Sequence, residues 1–234
     1  MTVIGFLMRQ PDEQFPAAAR GVKMNSYIAH AVVGHFSGSP MMVANTVSPT
    51  NYAVAAGPSE LGAMAVAVRE GRLLAVEFGH RSASLATAAL KRRTFNRPGT
   101  PAVVDSSDSD RELAYDILDR LQRYAAGEPA ALAEIAISVD HLSAFQRRVV
   151  QACRAIPRGE RRTYAQLAAA AGSPRAARAV GQVMAGNRTP LVVPCHRVVA
   201  SGGGLGGFSA PEGLAMKRRL LCLESQQLAA AGRS

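Results

Sequence analysis

Val192-Val193-Pro194-Cys195-His196-Arg197-Val198 is the run from which the rest of the chain is best read. Its two leading valines predict a short buried extended segment, which Pro194 ends by removing a backbone donor. Proline also fixes the geometry just before the sulfur, so Cys195 is expected where the chain turns. Neighbours in an extended chain point to opposite sides. His196 is therefore expected to exchange a proton with the sulfur through a water rather than by direct contact. Arg197 adds positive charge, which favours thiolate over thiol. A bare Cys-His pair is more often a buried cysteine beside a surface histidine, since a catalytic assignment needs a third group. The surroundings must decide.

Upstream stand Thr163-Tyr164-Ala165-Gln166-Leu167-Ala168, then Ser173-Pro174-Arg175-Ala176-Ala177-Arg178-Ala179-Val180-Gly181, then Met184-Ala185-Gly186-Asn187. Downstream stand Gly206-Gly207-Phe208-Ser209 and Lys217-Arg218-Arg219-Leu220-Leu221-Cys222-Leu223-Glu224. In this order and spacing the residues closely resemble the 6-O-methylguanine-DNA methyltransferase family. The resemblance is dense from Phe145 to Glu224, thins to a general likeness over residues 51–140, and does not extend before that.

Charge agrees with such a partner. The chain of 234 residues carries a net charge of +10. Leu142 to Ser225 holds 13 Lys and Arg against 3 Asp and Glu, and the rest holds 14 of each. All of the excess therefore lies in the segment with the cysteine, which points to a polyanion, with nucleic acid favoured over membrane because no basic amphipathic helix with bulky aromatics occurs. The bland alternative, a soluble basic surface, suits any one arginine better than the set. Three widely spaced cysteines, Cys153, Cys195 and Cys222, do not make a disulfide framework and suit a reducing compartment. Thr2 to Met8 lacks the flanks of a signal peptide. Met24 to Ser59 has no charged residue, yet never sustains the apolar run of about 18 residues that a membrane span requires. A cytoplasmic protein is expected, nucleoid-associated if bacterial, monomeric and without membrane contact.

Taken in order, residues 1–50 form an N-terminal extension with no assigned role. His30 and His35 lack the further ligands a metal site needs, so no metal is expected. Some family members hold zinc near the N-terminus, but those cysteines have no counterpart here. Ala63–Val68 and Leu73–Phe78 predict two strands joined by a tight turn at Glu70-Gly71. Ser82–Arg93 predicts a serine-capped helix with a basic end. After an acidic loop over Asp105–Asp110, Leu113, Ile117, Leu121 and Tyr124 recur at helical spacing. Pro129–Asp140 predicts a linker with a short strand at Ile135, Ile137 and Val139. A helix should then align Phe145, Val149, Cys153 and Ile156, ending at Pro157 and Gly159. On this reading Cys153 is an inert core residue, and so is Cys222 in the last helix.

Thr163–Ala171 and Pro174–Met184 predict two short helices split by Gly172-Ser173, with Ser173 as cap and Pro174 as first helical residue. That is the sequence image of a helix-turn-helix. An alanine-rich second helix is by itself equally well explained by close packing. The fold class expected is therefore α+β. A small N-terminal antiparallel-sheet domain over 51–140 is followed by a mainly helical, winged-helix-like helix-turn-helix domain over 141–225, with 226–234 a tail.

The resemblance implies specific roles. Arg178 would enter the duplex where a nucleotide has been extruded, while Arg175, Thr163 and Ala177 would meet the DNA. Tyr164 and Ser209 would flank the guanine, with Met184, Phe208 and Val198 in the pocket wall. Gly202–Gly207 supplies a permissive loop that can close over it. Cys195 would accept the alkyl group, Glu224 would orient His196, and Asn187 would brace the backbone behind. The expected activity is irreversible transfer from 6-O-alkylguanine in double-stranded DNA to Cys195, a suicide methyltransferase reaction. No phosphate-cradling glycine loop occurs, so no cofactor is expected. Phe208 stands where many members have tyrosine, which alters the pocket wall. Ser225 stands where glycine is common, so a different helix end is expected. A sister group of non-catalytic proteins has tryptophan in place of the cysteine. A DNA-binding repressor with a bystander cysteine would bind without taking up alkyl groups, and a cysteine hydrolase would turn over without DNA. Neither assigns a role to all of these residues together.

Overall fold

The hairpin is built as its turn residues require. In the computed structural model, β1 (Ala53–Gly57), β2 (Ala63–Arg69) and β3 (Arg72–His80) form one antiparallel sheet in that order. Glu70 and Gly71 both adopt positive φ, 52° and 70°, as a two-residue turn between twisted strands demands. The Asp110 carboxylate accepts hydrogen bonds from both their backbone N–H groups. β1 is a strand the sequence did not announce: its Ala-Val-Ala-Ala-Gly composition is weak for β structure.

The structure describes residues 52–95, 106–128 and 130–231, within one compact unit spanning Thr46–Ser234. The first fifty residues, including His30 and His35, and Asp105 and Pro129 lie outside the described residues. α1 (Ala83–Phe95) and α2 (Asp108–Ala125) cover the sheet. Ser82 Oγ accepts from Leu85 N at the start of α1, and Ser107 caps α2. Ile117, Leu121 and Tyr124 of α2 are fully buried, as the helical spacing predicted.

Ile135–Val139 is not a strand. A single parallel bridge joins Ile137 to Leu73, after the 3-10 turn Leu132–Glu134. The turn consumes the backbone direction a strand would need, and the remaining residues only donate to and accept from Leu73. α3 (Ala144–Arg154) begins with a capping box between Ser143 and Gln146 and buries Val149 and Cys153. A short parallel pair, β4 (Arg162–Thr163) with β5 (Val198–Val199), joins the helices to the Cys195 run. α4 (Tyr164–Ala170) and α5 (Ala177–Ala185) are the helix-turn-helix.

α5 starts three residues later than the sequence suggested. Gly172 at φ 72° and a turn closed by Ala176 N donating to Ser173 O take up Pro174 and Arg175. Ala176 caps the helix without a side-chain bond, and Arg175 stands before it. α6 (Leu214–Ala231) runs on past Glu224, and Ser225 Oγ donates to Leu221 O within it. Cys222 is exposed rather than buried, because Leu220, Leu221 and Glu224 occupy the inward face. One apolar cluster links sheet, α2, Leu191, Val192 and α6; a second gathers α3, α4 and α5 around Cys195 and Val198. No helix of the described residues is long and apolar enough to cross a membrane.

Candidate functional site

The Cys195 run is fixed by backbone bonds from both sides. Asn187, buried at the end of α5, donates from Nδ2 to Val193 O at 2.9 Å and accepts from Thr189 N at 3.1 Å. Val76 N of β3 donates to Arg188 O at 2.8 Å, so the sheet holds the same loop. Leu191 sits at φ 72°, a conformation costing on the order of 1–3 kcal/mol in a non-glycine residue. Cys195–Arg197 is then a 3-10 turn closed by Arg197 N donating to Pro194 O. The pair is not extended, so the opposite-sides argument does not apply. The turn instead sends His196 toward α6.

His196 and Glu224 are both fully buried, with Nε2 3.0 Å from Oε1. The imidazole's Nδ1 is buried with no hydrogen-bond partner among the described residues. Glu224 also receives Tyr124 Oη at 2.7 Å, the Arg197 guanidinium at 2.7–3.2 Å and the Gly159 amide at 3.2 Å. Burial pushes this carboxyl up, but the hydrogen bonds from His196 and Arg197 and the Arg197 charge outweigh it and hold Glu224 well below the usual carboxylate range. Burial likewise lowers the His196 pKa against the opposing pull of Glu224, leaving a neutral imidazole at pH 7.

Arg197 does not serve the sulfur as its sequence position suggested. Its donors go to Glu224 and to Ile156 O. The positive charge near Cys195 comes from Lys217 on α6, completely buried, whose Nζ donates to Val198 O at 2.6 Å and Leu205 O at 2.5 Å. Burial raises the Cys195 pKa, and a hydrogen bond from the Asn187 side chain, then Lys217 and Arg93, oppose it. Burial pushes the Cys153 thiol up as well, as befits a core thiol.

Cys195 lies in the wall of a cavity of about 190 Å³ lined by Tyr164, Gly181, Met184, Phe208 and Ser209. A smaller hollow, also lined by Cys195, is bounded by Glu77, Arg93, Asn187 and Pro190. Arg93 donates to Glu77 Oε1 and to Asn187 O, joining α1 to the site. Tyr164 packs so closely on the loop that a Cβ at Gly206 would lie 2.8 Å from its ring, and Gly206 has φ 70°. Glycine is required there on both counts.

Thus the structure brings Cys195, His196, Glu224, Asn187, Tyr164, Met184, Phe208 and Ser209 together. Val198 is buried behind them in the α3–α5 core, and its carbonyl anchors Lys217. Thr163 caps α4 through a capping box with Gln166. Arg178 on α5 and Arg175 before it are exposed, with Ala177 half-buried. Sequence reasoning missed Lys217, Tyr124 and Arg93. Lys217 was findable: it precedes Leu220, Leu221 and Glu224 by three, four and seven positions, on one helix face. Tyr124 read as one more apolar residue, and Arg93 as a helix-end charge.

An α+β fold in which a helix-turn-helix backs a buried Cys-His-Glu grouping defines a narrow class of protein. Residues 144–226 match the family described as 6-O-methylguanine DNA methyltransferase, DNA binding domain. The chain is 42% identical over 111 residues to the methylated-DNA–protein-cysteine methyltransferase of Homo sapiens, covering 45% of this chain and 53% of that one. Against the protein of the same name from Mycolicibacterium paratuberculosis it is 45% identical over 108 residues, 46% of this chain and 62% of that one. The chain thus spans between half and two thirds of these relatives. Among solved structures, it is similar to Mycobacterium tuberculosis OGT in complex with DNA, at TM-score 0.55 and 28% identity over 74% of this chain and 93% of that one.

Proposed function

We propose that this chain repairs DNA by direct reversal: it binds duplex DNA, extrudes a 6-O-alkylguanine nucleotide and transfers the alkyl group irreversibly to Cys195. The observation that carries this reading is Cys195 in the wall of the Tyr164–Ser209 cavity, with a neutral His196 held by Glu224 behind it. Residues 51–140 brace that site, and residues 141–225 bind DNA and react.

The target oxygen lies inside the stacked duplex, so extrusion costs a few kcal/mol. α4 and α5 meet the phosphates, which position the protein without reading sequence. Arg178 fills the space the nucleotide leaves. In the pocket Tyr164 and Ser209 flank the guanine, and Met184 and Phe208 form apolar walls. Phe208 brings no hydroxyl to its wall, which bears on which alkyl groups fit. His196 draws the thiol proton through a water at Nδ1 while Glu224 fixes the tautomer at Nε2. A lone pair of the sulfur forms the S–C bond as the C–O bond breaks. The leaving electrons stay on guanine, which regains a proton. The thioether is a poor leaving group, so each chain reacts once. Such a protein needs no cofactor and acts as a monomer in the cytoplasm, or on the nucleoid if bacterial.

The test is incubation with duplex DNA carrying labelled 6-O-methylguanine, followed by peptide mass analysis. The label is expected on Cys195. Its appearance on Cys153 or Cys222, or on no cysteine, would overturn the assignment.

A further inference from the structure

A second cavity, of about 210 Å³, is lined by Tyr124, Arg154, Arg158, Arg197, Leu132 and Val192. It is not the cavity that holds Cys195. Three arginines line it, and among the described residues the carboxylate paired with one of them, Arg197, is Glu224. That carboxylate is already engaged by Arg197 and His196. Among the described residues neither Arg154 nor Arg158 forms an ion pair.

The donors of these two arginines are incompletely used. Arg154 Nη2 donates to Ala133 O and Ile135 O, and these are its hydrogen bonds within the described residues. Arg158 stacks over the Tyr124 ring at 4.8 Å and donates from Nη1 to Glu128 O at 3.3 Å. Its Nε and Nη2 are buried with no partner among the described residues. Unpaired buried donors are rare because each gives up its hydration for nothing in return. Burial lowers the pKa of both arginines, and each remains cationic at pH 7.

We propose that this cavity is a binding site for a phosphate group, held by Arg154 and Arg158 with Arg197 adding its field. A guanidinium presents paired donors that match phosphate oxygens. A tetrahedral phosphate group, with acceptor oxygens pointing in different directions, serves two separated guanidinium groups better than a single planar carboxylate. The phosphate comes either from a free phosphate compound or from a nucleic-acid strand.

The full chain is titrated with inorganic phosphate at constant ionic strength, by calorimetry and by phosphorus NMR line width. Single-site saturable binding is expected, weakened roughly tenfold or more by Arg158→Gln and by Arg154→Gln, since a hydrogen bond to a charged group contributes about 1.5–3 kcal/mol. Arg218→Gln, on the exposed side of α6, should leave it unchanged. Thermal melting of each variant reports its fold, and Arg154→Gln decides alone if Arg158→Gln does not fold. Undamaged duplex DNA is then added. Displacement of the phosphate identifies a strand as the source, and joint binding identifies a free phosphate compound. Unsaturable binding, or an equal loss in Arg218→Gln, would overturn the site.

Discussion

Glu224 is the residue on which most of the candidate site converges, held by Tyr124, His196, Arg197 and the Gly159 amide. Glu224→Gln leaves the Arg197 guanidinium, almost wholly buried, without its counter-ion, and should cost about 3–5 kcal/mol. Glu224 has a depressed pKa, so its contribution to stability is full above about pH 4.3, the unfolded value, and is lost as pH falls through the lower folded one. His196 is also depressed, so the unfolded chain takes up its proton first, from about pH 6.5 downward, and stability falls there too. Urea denaturation from pH 7 to about pH 3 should therefore show stability declining with acid, and Glu224→Gln should flatten the part of that decline below about pH 4.3. A wild-type protein equally stable at both ends would contradict the ion pair. In kinetics, His196→Ala combined with Glu224→Ala should transfer alkyl groups scarcely more slowly than His196→Ala alone, because groups acting as a unit are non-additive. Multiplicative losses would leave Cys195 activated by Lys217 and Asn187 only.

At the scale of elements, the helix-turn-helix presents Arg178 on the exposed side of α5. Arg178→Ala should lower repair of a lesion in duplex DNA by a factor of ten or more, on the order of 1.4 kcal/mol, while barely changing the reaction with free 6-O-benzylguanine. A plug matters only when a stack has been opened. Equal losses on both substrates, read in single-turnover rates, would give Arg178 another role. The elements themselves were largely legible where local rules are strong. Glu70-Gly71 declared its hairpin, and Ser82 caps the start of α1 as expected, whereas the caps Ser107, Ser143 and Thr163 were not singled out. Pro174 misled because proline is as acceptable in a turn as at a helix start. Cys222 misled because leucines on both sides hid which face of α6 turns inward. The Cys195–His196 turn was invisible, since a 3-10 turn of three residues leaves no periodicity to read.

At the scale of the molecule, the sheet and the helix-turn-helix share a loop. Val76 of β3 and Arg93 of α1 both bond the stretch that leads from Asn187 to Cys195. The charge asymmetry and the motif order pointed to this site, but contacts such as Arg93 with Asn187, 94 residues apart, are set by tertiary packing. The same holds for Tyr124 with Glu224 across 100 residues. The central claim is that the protein is consumed by its own reaction. It is tested most directly by mixing the chain with excess duplex carrying labelled 6-O-methylguanine and counting methyl groups per chain after the reaction stops. The account predicts one methyl per chain, on Cys195, and none for Cys195→Ser, although that variant still binds the lesion. Continued release of methylated product beyond one per chain, or uptake by Cys195→Ser, would contradict it.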